Sequence, residues 1–189
     1  MNIRISCKFV SIILSLLMPF GIQAQQYVPV EKGCKVEFKT IKHKGGEEII
    51  RGTLNNLNGN ITFDPKNPRA ASFDIAISVG SINTGKKDRD NDLKKGDYFN
   101  LAKYPLIKIK STSVTQDRPG GVIYILHGDL TMKGVTKPVN IQFTATPFGT
   151  GYLFRGTLEM NRLPFNVGTK DDDADDHVSV FIEVRTRKK

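Results

Sequence analysis

Two stretches of the chain concentrate charged side chains that could bind a polar group. The first, residues 81–111, carries Arg89 and Asp90 within a dense charge cluster. Between 88 and 95 it has no Pro or Gly and a single apolar residue. A carboxylate such as Asp88 near the start suits the dipole of a helix, so the pattern predicts one or two polar helical turns.

An aromatic group follows this polar segment. Tyr98, Phe99 and Tyr104 come just before Pro105. A short polar helix cannot bury such rings by itself, so we expect them to lie across the end of a sheet structure. The segment is then a candidate lid.

The second charged stretch, Asp171–Asp176, has the carboxylates of a possible calcium-binding loop. A calcium loop needs Gly at its sixth position and Glu at its twelfth, and these positions hold Asp176 and Ile182. A solvated acidic loop fits better. The three His residues are dispersed, and the sequence has no nucleophile elbow, phosphate-binding loop or His-Glu metal motif. We therefore predict no metal site, no cofactor and no enzymatic activity.

Residues 1–24 have the order of a cleaved signal peptide. Arg4 and Lys8 precede an apolar run from Phe9 to Leu17, and the small residue Ala24 marks the predicted cleavage point. This predicts a mature domain of residues 25–189, located in the periplasm or secreted. Cys34 is then the only cysteine, so no disulfide can form within the chain. Cys34 lies on the same side of the predicted strand as Val36 and Phe38, which predicts a buried thiol.

The net charge of +9 is spread over the chain, and the leader contributes two of these positive charges. The only basic cluster is the terminal 185–189, without the aromatic and basic interleaving of single-strand nucleic-acid binders. We predict no nucleic-acid partner. Loose contact with anionic lipid headgroups stays open, as does the choice between monomer and homodimer.

From Cys34 onward, apolar and polar residues alternate with period two, which predicts β-strands. Counting the long run 47–63 once, with a bend at Asn55-Asn56, gives eight strands. They begin near Cys34, Glu47, Ala71, Ile107, Tyr124, Val139, Phe154 and Val178.

Tight turns join most of these strands, so neighbours pair antiparallel. Glycines on the inward phase, such as Gly52, Gly59, Gly128 and Gly156, favour a sharply curled sheet. The predicted fold is therefore all-β, an eight-stranded antiparallel β-barrel with one short helical segment between strands. Such a barrel fills its interior with side chains or holds one small ligand.

Three ordered motifs resemble the YceI-like family. They are Ile82–Ser111, with Asp97-Tyr98-Phe99-Asn100 at its centre, then Gly128–Val139, then Asn161-Arg162 with Phe165. The resemblance covers about Cys34 to Val184. It implies a lipocalin-like barrel that binds a long polyisoprenoid, an isoprenoid quinone or a similar amphiphilic lipid. One departure is Asp92, where many members carry His.

The resemblance implies that the apolar residues predicted to face the barrel interior, with two aromatic residues of the lid, bind the ligand. These are Phe38, Leu57, Ile61, Phe63, Phe73, Ile75, Ile77, Phe99, Tyr104, Ile107, Ile109, Tyr124, Leu126, Leu130, Ile141, Phe143, Phe154, Leu158, Met160, Val180 and Ile182. Candidates for contact with a polar headgroup are Thr84, Arg89, Asp90 and Arg162. For Arg89 and Asp90 the alternative is a local ion pair, and for Arg162 it is the capping of loop carbonyls.

Two other functions stay open at this point. A packed barrel could act through its surface as an interaction or envelope stress-response module without a ligand. This alternative predicts a filled interior and an external hydrophobic patch. A quinone-handling redox partner would need a headgroup held where electrons can reach it.

Overall fold

The computed structural model describes residues 25–30, 32–43 and 45–189. The leader predicted for residues 1–24 lies outside this range. Apart from three single-turn 3-10 helices, the elements are β1 (Gln26–Pro29), β2 (Lys35–Lys42), β3 (Glu48–Leu54), β4 (Leu57–Thr62), β5 (Ser72–Ser78), α1 (Lys87–Leu93), β6 (Leu106–Gln116), β7 (Ile123–Met132), β8 (Val135–Phe148), β9 (Gly151–Asn161) and β10 (His177–Lys188). None of the helices in these ranges is both long and apolar enough to cross a membrane.

The strands close into a ring in which every pairing is antiparallel. One edge of β10 pairs with β9, and the other pairs with β2 and then with β1. On their far side, β2 pairs with β3 and β1 with β4, and the sheet continues through β5 to β9. Because β1 with β2, and β3 with β4, each act as one interrupted strand, the ring is an eight-stranded barrel. This confirms the predicted fold class and the single short helix.

Apolar and polar residues alternate along the strands, so the apolar side chains face the barrel interior and the polar ones face the outside. In β5, Phe73, Ile75 and Ile77 are buried, whereas Ser72 and Asp74 are exposed. The partner residues continue the same face, since Ile75 lies opposite Ile109. A shift of one residue would turn the apolar set outward, so the pattern fixes the register.

The bend in the long strand occurs where it was predicted. Asn56 adopts a left-handed φ of 58° between β3 and β4. Gly52 then allows the ring of Phe38 to lie directly on the backbone, because a Cβ there would overlap the ring. Such positions let the strand curl around a narrow barrel.

One end of the barrel, which we call the plugged end, is filled by aromatic rings. Phe63 lies at its centre, with ring centroids 5.3 Å from both Tyr124 and Phe154 and 5.2 Å from Tyr152. These contacts are edge-to-face, a favourable geometry for aromatic pairs. The turns 63–71, 117–122 and 149–150 lie at this end. The opposite end, which we call the mouth, carries segments 79–105, 133–134 and 162–176.

Two details concern the first residues of the fold. Strand β1 was not predicted, and its pairing with β4 and β10 completes the ring. Cys34 is buried, as its position in the strand pattern predicted, and its thiol donates to the carbonyls of Val30 and Arg185. Burial raises the pKa of the Cys34 thiol, so the group is a poor nucleophile.

Candidate ligand-binding cavity

The barrel encloses an open cavity of about 680 Å³. Its wall is apolar and comes from β2 to β10, and its polar lining lies at the mouth. This volume is within the range of ligand sites, about 300–1,000 Å³. The interior is therefore not filled, contrary to what the packed-barrel alternative required.

Exposure of the wall residues changes along the barrel axis. Towards the plugged end, Phe143, Phe154 and Leu126 are buried at 4–5% relative exposure. Other wall residues are only half-buried, although their side chains point inward. They include Val36, Phe38, Ile107, Ile109, Met160, Val180 and Ile182. These side chains pack against the hydrophobic core on one side and border open space on the other, so an apolar ligand would supply the dispersion contacts that the open side lacks.

Arg162 organises the loop on one side of the mouth. Its side chain is 10% exposed and makes five hydrogen bonds. It donates to the carbonyls of Val167, Thr169, Ala174 and Asp175, and at 2.9 Å to the Asp172 carboxylate. A guanidinium has five N–H donors, so none remains for a headgroup. Capping of loop carbonyls is therefore the role that the geometry supports.

Asp172 sits between this arginine and the aromatic side of the mouth. Burial alone would raise its pKa, but hydrogen bonds from Thr169 and the charge and hydrogen bond of Arg162 outweigh it, so the pKa of Asp172 is lowered. Burial, followed by the nearby Asp172 carboxylate, raises the pKa of the Tyr98 phenol. Tyr98 thus stays neutral at the mouth.

Helix α1 forms the other side of the mouth and begins as predicted, with Asp88 and Asp90 in its first turn. Asp90 accepts hydrogen bonds from the backbone N–H and the hydroxyl of Thr84, at 2.7 and 2.6 Å. Arg89 points to the cavity and donates to Glu48 of β3 at 3.1 Å. The local ion pair considered for Arg89 and Asp90 is therefore wrong, because each has a different partner.

The last residue of α1 and the segment that follows it lie across the mouth. Leu93, Tyr98 and Phe99 line the cavity. The backbone N–H of Phe99 donates to the Leu93 carbonyl at 3.0 Å, which folds the segment back on the helix. Lys133 ties it to the neighbouring loop by donating to the carbonyls of Asp97 and Asn166.

All but three of the predicted wall residues line the cavity. Phe63 and Tyr124 instead belong to the aromatic plug, where their rings contact each other. Tyr104 lies outside the cavity against the tight turn at Gly134, where an added Cβ would meet its ring at 2.7 Å.

Among the headgroup candidates, Arg89 and Arg162 border the cavity, whereas Thr84 and Asp90 do not. The predicted wall set lacked other apolar lining residues, namely Val36, Ile50, Leu54, Leu93, Met132, Val167, Val178 and Val184, whereas Tyr98 lines the cavity as part of the predicted lid. Most of the strand residues among them lie on the same strand face as predicted wall residues, so the period-two pattern was sufficient to predict them.

The acidic loop makes contacts both within the segment 162–176 and with the end of β2. Besides Asp172, the Asp176 carboxylate accepts from the Leu163 backbone and the Asp175 carboxylate lies 2.6 Å from His43. Across the described ranges, no three His, Cys, Asp or Glu side chains are grouped to hold a metal ion.

A closed eight-stranded antiparallel barrel around an apolar, open-ended cavity places this protein in the lipocalin-like class. A family model described as the YceI-like domain matches residues 27–186. A UPF0312 protein of Photorhabdus laumondii is 34% identical over 145 residues, covering 71% of this chain and 74% of the relative. A UPF0312 protein of Yersinia enterocolitica is 32% identical over 157 residues, covering 79% and 78%. The chain belongs to the YceI-like domain family.

Solved structures share the fold at lower identity. BcnA of Burkholderia cenocepacia matches with a TM-score of 0.74 and 24% identity, covering 82% of this chain and 98% of that one. A domain from Saccharophagus degradans described as polyisoprenoid-binding matches with a TM-score of 0.67 and 12% identity, covering 86% and 98%.

Proposed function

We propose that this protein is a periplasmic or secreted binding protein that holds one long apolar amphiphile inside its barrel. The ligand class is a polyisoprenoid, an isoprenoid quinone or a similar lipid. The observation that carries the proposal is the open apolar cavity with polar groups at one end only. That arrangement suits a molecule with a long tail and one polar head.

The energetics support tight binding without many polar contacts. Burying hydrocarbon contributes about 0.8 kcal/mol per CH2 before ordering costs. If a methylene-sized group occupies roughly the 30 Å³ that a water molecule takes in the liquid, the cavity holds about twenty such groups. A tail of that length could bind strongly even after the cost of association is subtracted.

Three further points support a carrier rather than a catalyst. The polar groups of the mouth are engaged in ion pairs and carbonyl caps rather than arranged as a nucleophile with a base. A fold relative is described as binding polyisoprenoid. The signal-peptide pattern of residues 1–24 supports a location outside the cytoplasm, where amphiphiles between membranes need a carrier.

Mass spectrometry of an organic extract tests the proposal. The protein is purified from its native compartment without detergent and extracted beside an equal amount of a barrel protein with a filled interior. The proposal expects a long-chain amphiphile enriched in the first extract at about one molecule per chain. An extract equal to the control, together with a stripped protein that takes up no added lipid, would contradict it.

A further inference from the structure

The positive charge of the protein is distributed unequally between the two ends of the barrel. At the mouth, Lys86 and Arg89 both pair with the carboxylate of Glu48, each at 3.1 Å. The loop 162–176 at this end holds five aspartates against two cations. Carboxylates therefore largely compensate the cations of the mouth.

The plugged end carries exposed cations and few acids. The turns 63–71 and 117–122 each contain one acid, Asp64 and Asp117. The exposed cations at this end are Lys66, Arg69, Arg118, Arg187, Lys188 and Lys189. None of the six is in an ion pair with another described residue, so this end presents positive charge to the solvent.

Half of these cations come from the terminal basic cluster, and the fold holds them in place. Arg187 lies opposite Val28 of β1 in the sheet. The backbone N–H of Lys189 donates to the carbonyl of Gln26 at 3.0 Å. The cluster is therefore the end of a paired strand, with its charges at fixed positions on the barrel, and not a free tail.

Two exposed apolar side chains lie at the same end. Val122 ends the turn between β6 and β7 and is 72% exposed, and Phe148 lies at the β8–β9 hairpin and is 44% exposed. The guanidinium carbon of Arg185 lies 5.5 Å from the centroid of the Phe148 ring. Apolar side chains beside cations are the combination that binds an anionic lipid surface, because the first insert among headgroups and the second attract them.

We propose that the plugged end docks on a membrane surface containing anionic phospholipids, with Val122 and Phe148 among the headgroups and the mouth turned away from that membrane. The proposal concerns the outside of the barrel, so it goes beyond the proposed function and does not depend on the ligand. Turns at one end of a barrel lie at similar heights along its axis, so they can contact a planar surface together. A nucleic-acid strand fits less well, because it needs a groove with several aromatic rings for stacking.

The two ends are far enough apart to act independently on a charged surface. Strand β7 joins the turn 117–122 to the turn 133–134, and its ten residues span roughly 30 Å. The Debye length is about 10 Å at an ionic strength of about 0.1 M. A charge reversed at the mouth should therefore have little effect on docking through the plugged end.

Cosedimentation with vesicles tests the docking surface. Protein purified from its native compartment is mixed with phosphatidylcholine vesicles that contain about one-third phosphatidylglycerol or none, at about 0.1 M salt. We expect binding to the anionic vesicles only, with loss at high salt. Arg118→Glu combined with Lys188→Glu should lower the partition coefficient at least about tenfold, because each cation near an anionic surface contributes about fivefold.

A matched variant makes the same change of net charge at the mouth. Lys87→Glu combined with Lys170→Glu reverses two exposed lysines there and should stay within about twofold of the wild type. All variants share the wild-type N-terminus, so any contribution from it cancels. Thermal unfolding confirms that each variant is folded before binding is measured.

An introduced tryptophan reports which end touches the membrane, because the chain contains none. Phe148→Trp places the probe at the plugged end. Ile49→Trp places it at the mouth end of β3, where Ile49 is 46% exposed. With vesicles of brominated phosphatidylglycerol, we expect the emission of the first variant to be quenched and shifted to shorter wavelength, and that of the second to stay unchanged.

The remaining outcomes would overturn the proposal. Equal losses in the two charge-reversal variants would reduce the effect to net charge. Quenching of Ile49→Trp in place of Phe148→Trp would put the mouth on the membrane. Absence of wild-type binding to the anionic vesicles, or tighter binding to an oligonucleotide at the same phosphate concentration, would exclude a membrane as the partner of this surface. Each of these results leaves the lipid-binding cavity unaffected.

Discussion

Replacing Arg162 by Met removes the centre of the mouth loop while keeping most of the side-chain length. The change leaves four carbonyls without the Arg162 donor, and it leaves the Asp172 carboxylate, which is 18% exposed, without its cation and with only the hydrogen bonds from Thr169. Removing one partner of a buried ion pair typically costs about 3–5 kcal/mol. We expect the free energy of unfolding to fall by about that amount, or segment 166–176 to open while the barrel stays folded.

Arg155→Met is the matched control. Arg155 also pairs with a carboxylate, that of Glu183 at 3.0 Å, but its side chain is 61% exposed. Exposed pairs contribute about 0–1 kcal/mol, so this variant should be nearly as stable as the wild type.

Urea unfolding measures the global effect, and hydrogen exchange of residues 166–176 measures local opening. Equal unfolding free energies for the two variants, with unchanged exchange in the loop, would refute the role assigned to Arg162. Asp172→Asn in the Arg162→Met background should recover part of the loss, because it removes the carboxylate charge left unpaired.

Three other predictions follow from the strand phase, the lid and the pH behaviour of the mouth. Ile75→Asp should lower the melting temperature far more than Asp74→Lys, because Ile75 points into the barrel; equal melting temperatures would show that the phase is wrong. Phe99→Ala should weaken lipid retention more than it destabilises the empty barrel, and exchange over residues 85–100 should slow when lipid is added; slow exchange unaffected by lipid would mean that the segment is not a lid. Because the pKa of Asp172 is lower in the folded state, its stabilising contribution is present above its ordinary pKa of about 3.9 and is lost as pH falls through the lowered value. Acid titration of stability should therefore be shallower in Asp172→Asn than in the wild type.

Much of the fold could be predicted from local pattern. Alternation identified the inward faces because a β-strand has a period of two, and Asn55-Asn56 marked the bend. The pattern could not place residues along the barrel axis. Phe63 and Tyr124 share the inward phase with wall residues, yet they lie at the plugged end, and only the register between strands determines this.

Contacts between distant segments account for the rest. Glu48, the partner of Arg89, lies 41 residues away on β3. Arg162 donates hydrogen bonds to four carbonyls of a loop, and the spacing of residues in the sequence does not predict the path of that loop. Strand β1 has only four residues, too few for a visible period, and it forms through pairing with β4 and β10.

Titration of delipidated protein with a C20 prenyl alcohol, read by native mass spectrometry, tests the central claim most directly. Val180 lines the cavity, whereas its neighbour Phe181 faces outward and is 47% exposed. Wild type and Phe181→Trp should each bind one prenol per chain, and Val180→Trp, which fills the cavity, should bind far less while remaining folded. Equal binding by Val180→Trp would place the ligand outside the barrel, and no binding by the wild type would contradict the account.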